Sequence, residues 1–171
     1  MKEKTNKRVL LGMSGGVDSS VSAVLLKKAG YEVIGITMKL WHEDSVEKQC
    51  LSAKSVLDAK KVCDDLEIKH YTLDLKKEFK EYVVHDFIKC YENGVTPNPC
   101  IECNRHIKFD LLYKKAKELE CDYIATGHYA KVEYVKEYNK YMLKKSNAQA
   151  KDQTYFLYSI PEEVVPHIIF L

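Results

Sequence analysis

Several features that would classify this chain at once are missing from it. Its first residues, MKEKTNKR, are charged and polar with no apolar stretch behind them, so they do not read as a secretory signal. No apolar run approaches the roughly 20 residues that a membrane-spanning helix needs. There is no internal repeat, low-complexity tract or linker-like segment, which leaves one domain over residues 1–171. Net charge is nearly absent too: 27 basic against 25 acidic residues give a formal +2 at pH 7. Overall electrostatics therefore decides nothing about nucleic acid, and any RNA contact must come from a local patch. The expectation is a cytoplasmic protein with no membrane partner.

What is present is enough apolar material for a core. Hydrophobic residues make up 46% of the chain and charged residues 30%, the balance of a globular domain. Six cysteines could pair, but a chain with its own core and no export signal points to a reducing compartment. There cysteines are buried, catalytic or metal-bound.

Apolar strand-like runs alternate with helical periodicity, the pattern of an α/β fold with a doubly wound, mainly parallel sheet and helices on both faces. Strands are predicted at Arg8–Met13, Tyr31–Met38, Lys69–Leu75 and Asp122–Thr126. The spacing of Val17, Val21, Val24 and Leu25 predicts the buried face of a first helix that Gly30 stops. Ser52–Leu66 and Lys76–Glu92 are predicted helices. Two prolines exclude regular helix across Asn93–Pro99, after which Asn104 suits an N-cap and Phe109, Leu112, Ala116 and Leu119 line one face. Tyrosine-rich segments around Tyr138-Asn139 suggest a hairpin. The chain stops on Ile168-Ile169-Phe170-Leu171 without a polar tail, which suggests truncation at the C-terminus; the alternative is a terminal strand or helix docked on the core.

The chemistry centres on GMSGGVDS, residues 12–19, directly after the apolar run Val9-Leu10-Leu11. In a doubly wound sheet, ligands sit beyond the carboxyl ends of the strands. Two glycines permit close backbone approach, and successive N–H groups with a helix N-terminus make an anion site. Ser14 and Ser19 add hydroxyls. The Walker pattern is absent, since no lysine follows the glycines, and so is G-x-G-x-x-G. A bare glycine pair would mark only a sharp strand-to-helix bend; with Ser-Gly-Gly-x-Asp-Ser in this setting, phosphate binding is favoured.

The loop resembles the signature of the PP-loop ATP pyrophosphatases. Three further stretches narrow the likeness: Thr96-Pro97-Asn98-Pro99-Cys100-Ile101-Glu102-Cys103-Asn104, Ala125-Thr126-Gly127-His128-Tyr129-Ala130 and Lys151-Asp152-Gln153-Thr154-Tyr155-Phe156-Leu157. With Met38, they make the chain similar to the tRNA 2-thiouridylases from about residue 8 to its end. That resemblance implies a Rossmann-like PP-loop domain whose later tRNA-gripping domains are absent from this sequence. It implies adenylation of O2 of the wobble uridine by ATP with Mg²⁺, release of pyrophosphate, and sulfur transfer with loss of AMP. By the same resemblance, Gly12, Met13, Ser14, Gly15, Gly16, Val17, Asp18 and Ser19 hold ATP phosphates, and Met38 and Gly127 border the nucleotide. Asn98, Pro99 and Cys100 lie beside the target base, and His128, Lys151, Asp152 and Gln153 contact tRNA. The partners implied are tRNA and a sulfur donor, either a persulfide carrier protein or inorganic sulfide.

Cys103 matches the catalytic thiol. A helix start at Asn104, with Arg105 and Lys108 nearby, would favour its thiolate. Cys100 departs from a common form of the family, which has aspartate there. A thiol titrating near ~8.5 is a poorer base at neutral pH than a carboxylate near ~3.9. Cys100 and Cys103 could instead be two ligands of a [4Fe–4S] cluster, with Cys50 or a residue beyond Leu171 as a third, or a redox pair. Cys63, Cys90 and Cys121 read as inert thiols. Three other functions compete: an ATP- or tRNA-binding fragment without turnover, another PP-loop ligase, and a metal or redox protein built on the cysteine pair.

Overall fold

The computed structural model describes residues 6–41 and 53–171. Strands β1 (Arg8–Gly12), β2 (Glu32–Lys39), β3 (Lys69–Asp74), β4 (Tyr123–Thr126) and β7 (Ile168–Phe170) form one sheet in the order β3-β2-β1-β4-β7. Every pairing in it is parallel. Strands β5 (Ala130–Val135) and β6 (Lys140–Lys145) form the expected hairpin as a separate antiparallel pair, with Tyr134 opposite Tyr141. The apolar run at the chain end is β7, an edge strand whose Ile168 is buried in the core.

Strand β1 is covered on both faces, as a central parallel strand must be. Val9 and Leu11 point to α1 (Val17–Lys28) and α2 (Ala53–Asp65), packing with Ala23, Leu26, Ala59 and Cys63. Leu10 points the other way, against Phe109, Leu112 and Ala116. The winding reverses between β1 and β4, so the crevice lies at their carboxyl ends.

Two sequence expectations are corrected. The face of α1 chosen from Val17, Val21, Val24 and Leu25 is the outer one: Val17, Val21 and Leu25 are 78%, 49% and 45% exposed. The buried residues are Ser19, Ser22, Ala23 and Leu26. Small side chains let α1 approach the sheet closely, and the Ser22 hydroxyl is satisfied inside the helix by donating to the Asp18 carbonyl at 2.8 Å.

The second correction concerns the cysteine pair. Asn104 is no N-cap, because the helix has already begun at Pro99. Proline fits the first helical position, where its missing N–H costs nothing. The rod then runs through α5 (Pro99–Glu102), a π-helical segment Cys103–Leu111 and α6 (Leu112–Glu118). Asn104 is 2% exposed and donates Nδ2–H to the Phe156 carbonyl at 2.8 Å. The Lys76–Glu92 helix forms as expected, as α3 (Lys76–Phe79), a π turn Lys80–Val84 and α4 (His85–Glu92).

The corrected α1 face can be checked by denaturant unfolding. Ala23→Leu should cost about 1–3 kcal/mol by overpacking, whereas Val21→Ser should stay within roughly 0.5 kcal/mol.

Candidate functional site

The loop after β1 is braced by its own serines. The Ser19 hydroxyl donates to the Gly16 carbonyl at 3.0 Å and accepts from Ser14 N–H at 3.3 Å. Ser14 Oγ lies 3.2 Å from Ser19 Oγ and accepts Gly16 N–H at 3.3 Å. Gly16, the N-cap of α1, makes no side-chain cap, so the first-turn amides of this helix face the loop rather than a capping side chain. Gly15 sits at φ +76°, and a Cβ there would lie 2.5 Å from the Ser55 carbonyl oxygen. Only glycine meets both conditions.

The loop floor hangs on a buried relay. Thr37, fully buried, donates its one hydroxyl proton to the Met13 carbonyl at 2.9 Å. Its 2.8 Å contact with His70 Nε2 therefore requires the imidazole to donate, which fixes the Nε2–H tautomer. Burial lowers the His70 pKa, keeping that ring neutral.

Gly127 follows β4 and carries the second close approach. A Cβ at 127 would come within 3.2 Å of Asp18 Cβ and 3.3 Å of the Ser19 nitrogen. Between these strand exits lies a cavity of about 230 Å³. Its walls include Gly12, Met13, Ser14, Asp18, Ser19, Met38 and Gly127, all named from the sequence, together with His128 and Gln153. Gly15, Gly16 and Val17 complete the turn beside it.

Lys108 and Thr126 also line the cavity and were not anticipated in this role. Lys108 had been noted only as a cation near the thiol; it lies on the π-helical segment that opens at Cys103, and helical period alone could not aim it at the loop. Thr126 holds His128, whose Nδ1 lies 2.8 Å from its Oγ1. The His128 ring packs against Phe109, with centroids 5.8 Å apart. Burial, and secondarily the Lys108 charge, pull its pKa down to about 3, so the ring is neutral near pH 7.

The third stretch is tied to the second by backbone. Gln153 N–H donates to the Tyr129 carbonyl at 3.0 Å, and Gln153 Oε1 accepts Tyr129 N–H at 2.9 Å. The Tyr129 hydroxyl donates to Asp18 Oδ1 at 3.1 Å, while Lys151 Nζ stands 5.1 Å from the Tyr129 ring centre. Asp152 braces its own turn: its carboxylate accepts Ser146 N–H at 2.7 Å and the Thr154 amide and hydroxyl, which hold its pKa down.

The cysteines divide sharply. Cys100 is exposed in the first helical turn next to Asn98 and Pro99, both half-buried. Cys103 is buried with Met38, Leu40, Leu75, Phe79 and Ile107. Met38 thus belongs both to the cavity wall and to the cluster around Cys103. Burial pushes Cys63 and Cys121 each up to about 11, consistent with inert thiols. Partial burial and Asp86 raise Cys90. Among the described residues no three His, Cys, Asp or Glu side chains converge as metal ligands. Cys50 lies outside the described residues. Among these residues, too, no helix is long and apolar enough to cross a membrane.

Residues 7–171 match the family described as tRNA methyl transferase HUP domain. The chain is 53% identical over 167 residues to the tRNA-specific 2-thiouridylase MnmA of Clostridioides difficile, covering 96% of this chain and 46% of that protein. It is 49% identical over 172 residues to the tRNA-specific 2-thiouridylase MnmA 1 of a Thermoanaerobacter species, covering 98% and 47%. It thus spans somewhat under half the length of these relatives. Among solved structures it is similar in fold to a glutamine-dependent NAD⁺ synthetase from Acinetobacter baumannii in complex with ADP. There the TM-score is 0.50 and the identity 19%, over 71% of this chain and 22% of that one.

Two outcomes test this geometry. Gly15→Ala should destabilise the fold by about 1–3 kcal/mol, and Gly16→Ala, at φ −89°, should cost less, both read by urea titration. Because folded His128 and His70 resist protonation while their unfolded counterparts titrate near ~6.5, stability rises with pH across the window below that value. The melting temperature should fall between about pH 7 and about pH 5, above the range where carboxylates protonate, and His128→Gln should flatten that fall.

Proposed function

Because this chain belongs to the tRNA methyl transferase HUP-domain family, with the doubly wound fold its structure displays, we propose that it is the ATP-handling part of an enzyme that replaces O2 of a tRNA uridine with sulfur. One observation carries the reading. The serine-braced loop, Met38 and Gly127 border a single cavity at the switch point of the sheet, and the helix bearing both cysteines supplies another of its walls through Lys108.

A uracil carbonyl oxygen is a poor leaving group, and attaching AMP to it makes one. The first-turn amides of α1 and the loop amides hold the departing diphosphate, since oriented N–H dipoles in a partly dry crevice stabilise it without reorganising. Lys108 Nζ offsets further negative charge as the bond to the α-phosphate shifts. Asp18, exposed at the cavity edge with one oxygen engaged by Tyr129, is the carboxylate placed to hold Mg²⁺, which would offset phosphate charge. His128, neutral and held by Thr126, can donate or accept a hydrogen bond to nucleotide or base but supplies no charge.

Sulfur chemistry falls to the cysteine helix. Cys103 takes the outer sulfur of a persulfide carrier protein, which leaves as its thiol, and this sulfur attacks C2 and expels AMP. A second thiol, Cys100, then displaces the new C2 sulfur by forming a disulfide with Cys103, which an external thiol reduces. Inorganic sulfide as donor would instead attack C2 itself, with AMP as the leaving group, and Asn98, Pro99 and Cys100 border the base. Burial of Cys103 fits a thiol shielded from solvent until substrate is seated. A second reading, an ATP- and tRNA-binding unit without turnover, draws on the burial of Cys103 among Met38, Leu40, Leu75, Phe79 and Ile107, which would keep a sulfur donor away from it.

The test is mass spectrometry of tRNA nucleosides after incubation with ATP, Mg²⁺ and a sulfur source. Sulfur-for-oxygen exchange is expected, and Cys103→Ser should abolish it while leaving nucleotide affinity within about threefold, under one kcal/mol. Nucleotide and tRNA binding with no modified nucleoside would favour the second reading, and a methylated nucleoside would refute thiolation.

A further inference from the structure

The chain as a whole is nearly neutral, yet its charge is unevenly spread. Residues 130–151 carry six lysines, at 131, 136, 140, 144, 145 and 151, against two glutamates, while the remainder of the chain is net acidic. The structure turns this stretch into one projecting object, the β5–β6 hairpin. Its inner side leans on the core through Val132 and Leu143. Towards the tip Tyr134, Tyr138 and Tyr141 are exposed, the first and last on the same face as Val132 and Leu143.

The hairpin also has a fixed position relative to the cavity. Strand β5 starts two residues after His128, a cavity wall, and Lys145 pairs with Ala130 at that same end. The tip, Lys136–Tyr138 followed by Asn139 at φ +51°, lies at the far end. Six paired residues at about 3.4 Å each put the tip roughly 17–20 Å from the cavity mouth. Lysines occur along the whole length, from Lys131, Lys144 and Lys145 at the base to Lys136 and Lys140 at the tip. Lys144 and Lys140 contact Glu133 and Glu162, but these are solvent-exposed pairs. Such pairs are worth little and exchange readily for a phosphate.

We propose that the β5–β6 hairpin is a sequence-independent RNA track: its lysines contact successive phosphates of the tRNA whose target base enters the cavity, and Tyr138 at the tip stacks on an exposed base. Lys131, Lys144 and Lys140 fall on the face opposite Val132 and Leu143, with Lys136 and Tyr138 at the tip beyond them, and a row of cations ending on an aromatic is a surface that a phosphate backbone recognises. The track rests on the reading of tRNA as substrate. It goes further by naming the element that binds the RNA body, away from the reacting base.

The experiment uses the full-length protein and an unmodified tRNA transcript, with affinity followed by fluorescence anisotropy across a salt series. Lys131→Ala/Lys136→Ala/Lys140→Ala should weaken binding on the order of tenfold or more and reduce the salt slope by about two to three, one per lost phosphate contact. Tyr138→Ala should weaken binding with the slope unchanged. ATP affinity should be unaltered in both, since none of these residues lines the cavity. If the unsubstituted protein binds tRNA and the triple variant matches it in affinity and slope, the track is wrong while the substrate reading stands. Failure of the unsubstituted protein to bind tRNA overturns both. Unchanged tRNA binding with impaired transfer from a persulfide-carrying protein would assign the face to a protein and also overturn the track.

Discussion

The hydroxyl of Ser19 donates to the Gly16 carbonyl while receiving the Ser14 amide, and this small ring decides where the first turn of α1 begins. Gly127 lies so near that turn that a Cβ on it would sit 3.3 Å from the Ser19 nitrogen, and Gly15 must pass the Ser55 carbonyl, so the loop is held from two sides by contacts with no room for a side chain. From below, Thr37 fixes the Met13 carbonyl with its one hydroxyl proton, and that direction in turn settles the His70 tautomer. The cavity exists because three strand exits are held this close. A looser loop would spread its amides, and amide dipoles stabilise a phosphate only when they converge on it.

The same closeness governs the cysteine helix. Starting the rod at Pro99 puts Cys100 in the exposed first turn and carries Cys103 inward to the apolar cluster that includes Met38. The electrostatic help once assigned to Cys103 from a helix N-terminus therefore falls closer to Cys100. What Cys103 gains instead is shelter beside the cavity wall. The π-helical segment that starts at Cys103 shifts the faces of the residues that follow, and Lys108 reaches the cavity wall. Segments of this kind occur often where function has overridden regular helix geometry.

Charge follows a division of labour. The cavity holds one lysine, the Asp18 carboxylate and a neutral histidine among otherwise uncharged walls. The hairpin holds a ladder of cations in solvent, where each is weak singly and effective only on a polyanion. The short ties between Tyr129 and Gln153 join the two regions, so that RNA on the hairpin and nucleotide in the cavity would address one continuous surface.

Local pattern was enough for the alternation of strands and helices: alternating apolar runs and helical spacing pointed to the parallel sheet, and Ser-Gly-Gly-x-Asp-Ser after a strand pointed to the loop, because strand-to-helix geometry and the glycine requirement are short-range. The family resemblance pointed to Met38, Gly127 and His128, which lie at strand ends, and the fold puts all three on the cavity wall. Tertiary structure alone decided the rest. Which face of α1 is buried depended on how near the sheet stands, and small serines and alanine won over larger valines because only they fit. Asn104 reads as a cap in one dimension and is a buried hydrogen-bond donor in three, since Phe156 arrives from 52 residues away. Lys108, Thr126 and the Thr37–His70 relay carry no local signal, because their roles come from partners that the fold, and not the neighbouring sequence, brings alongside.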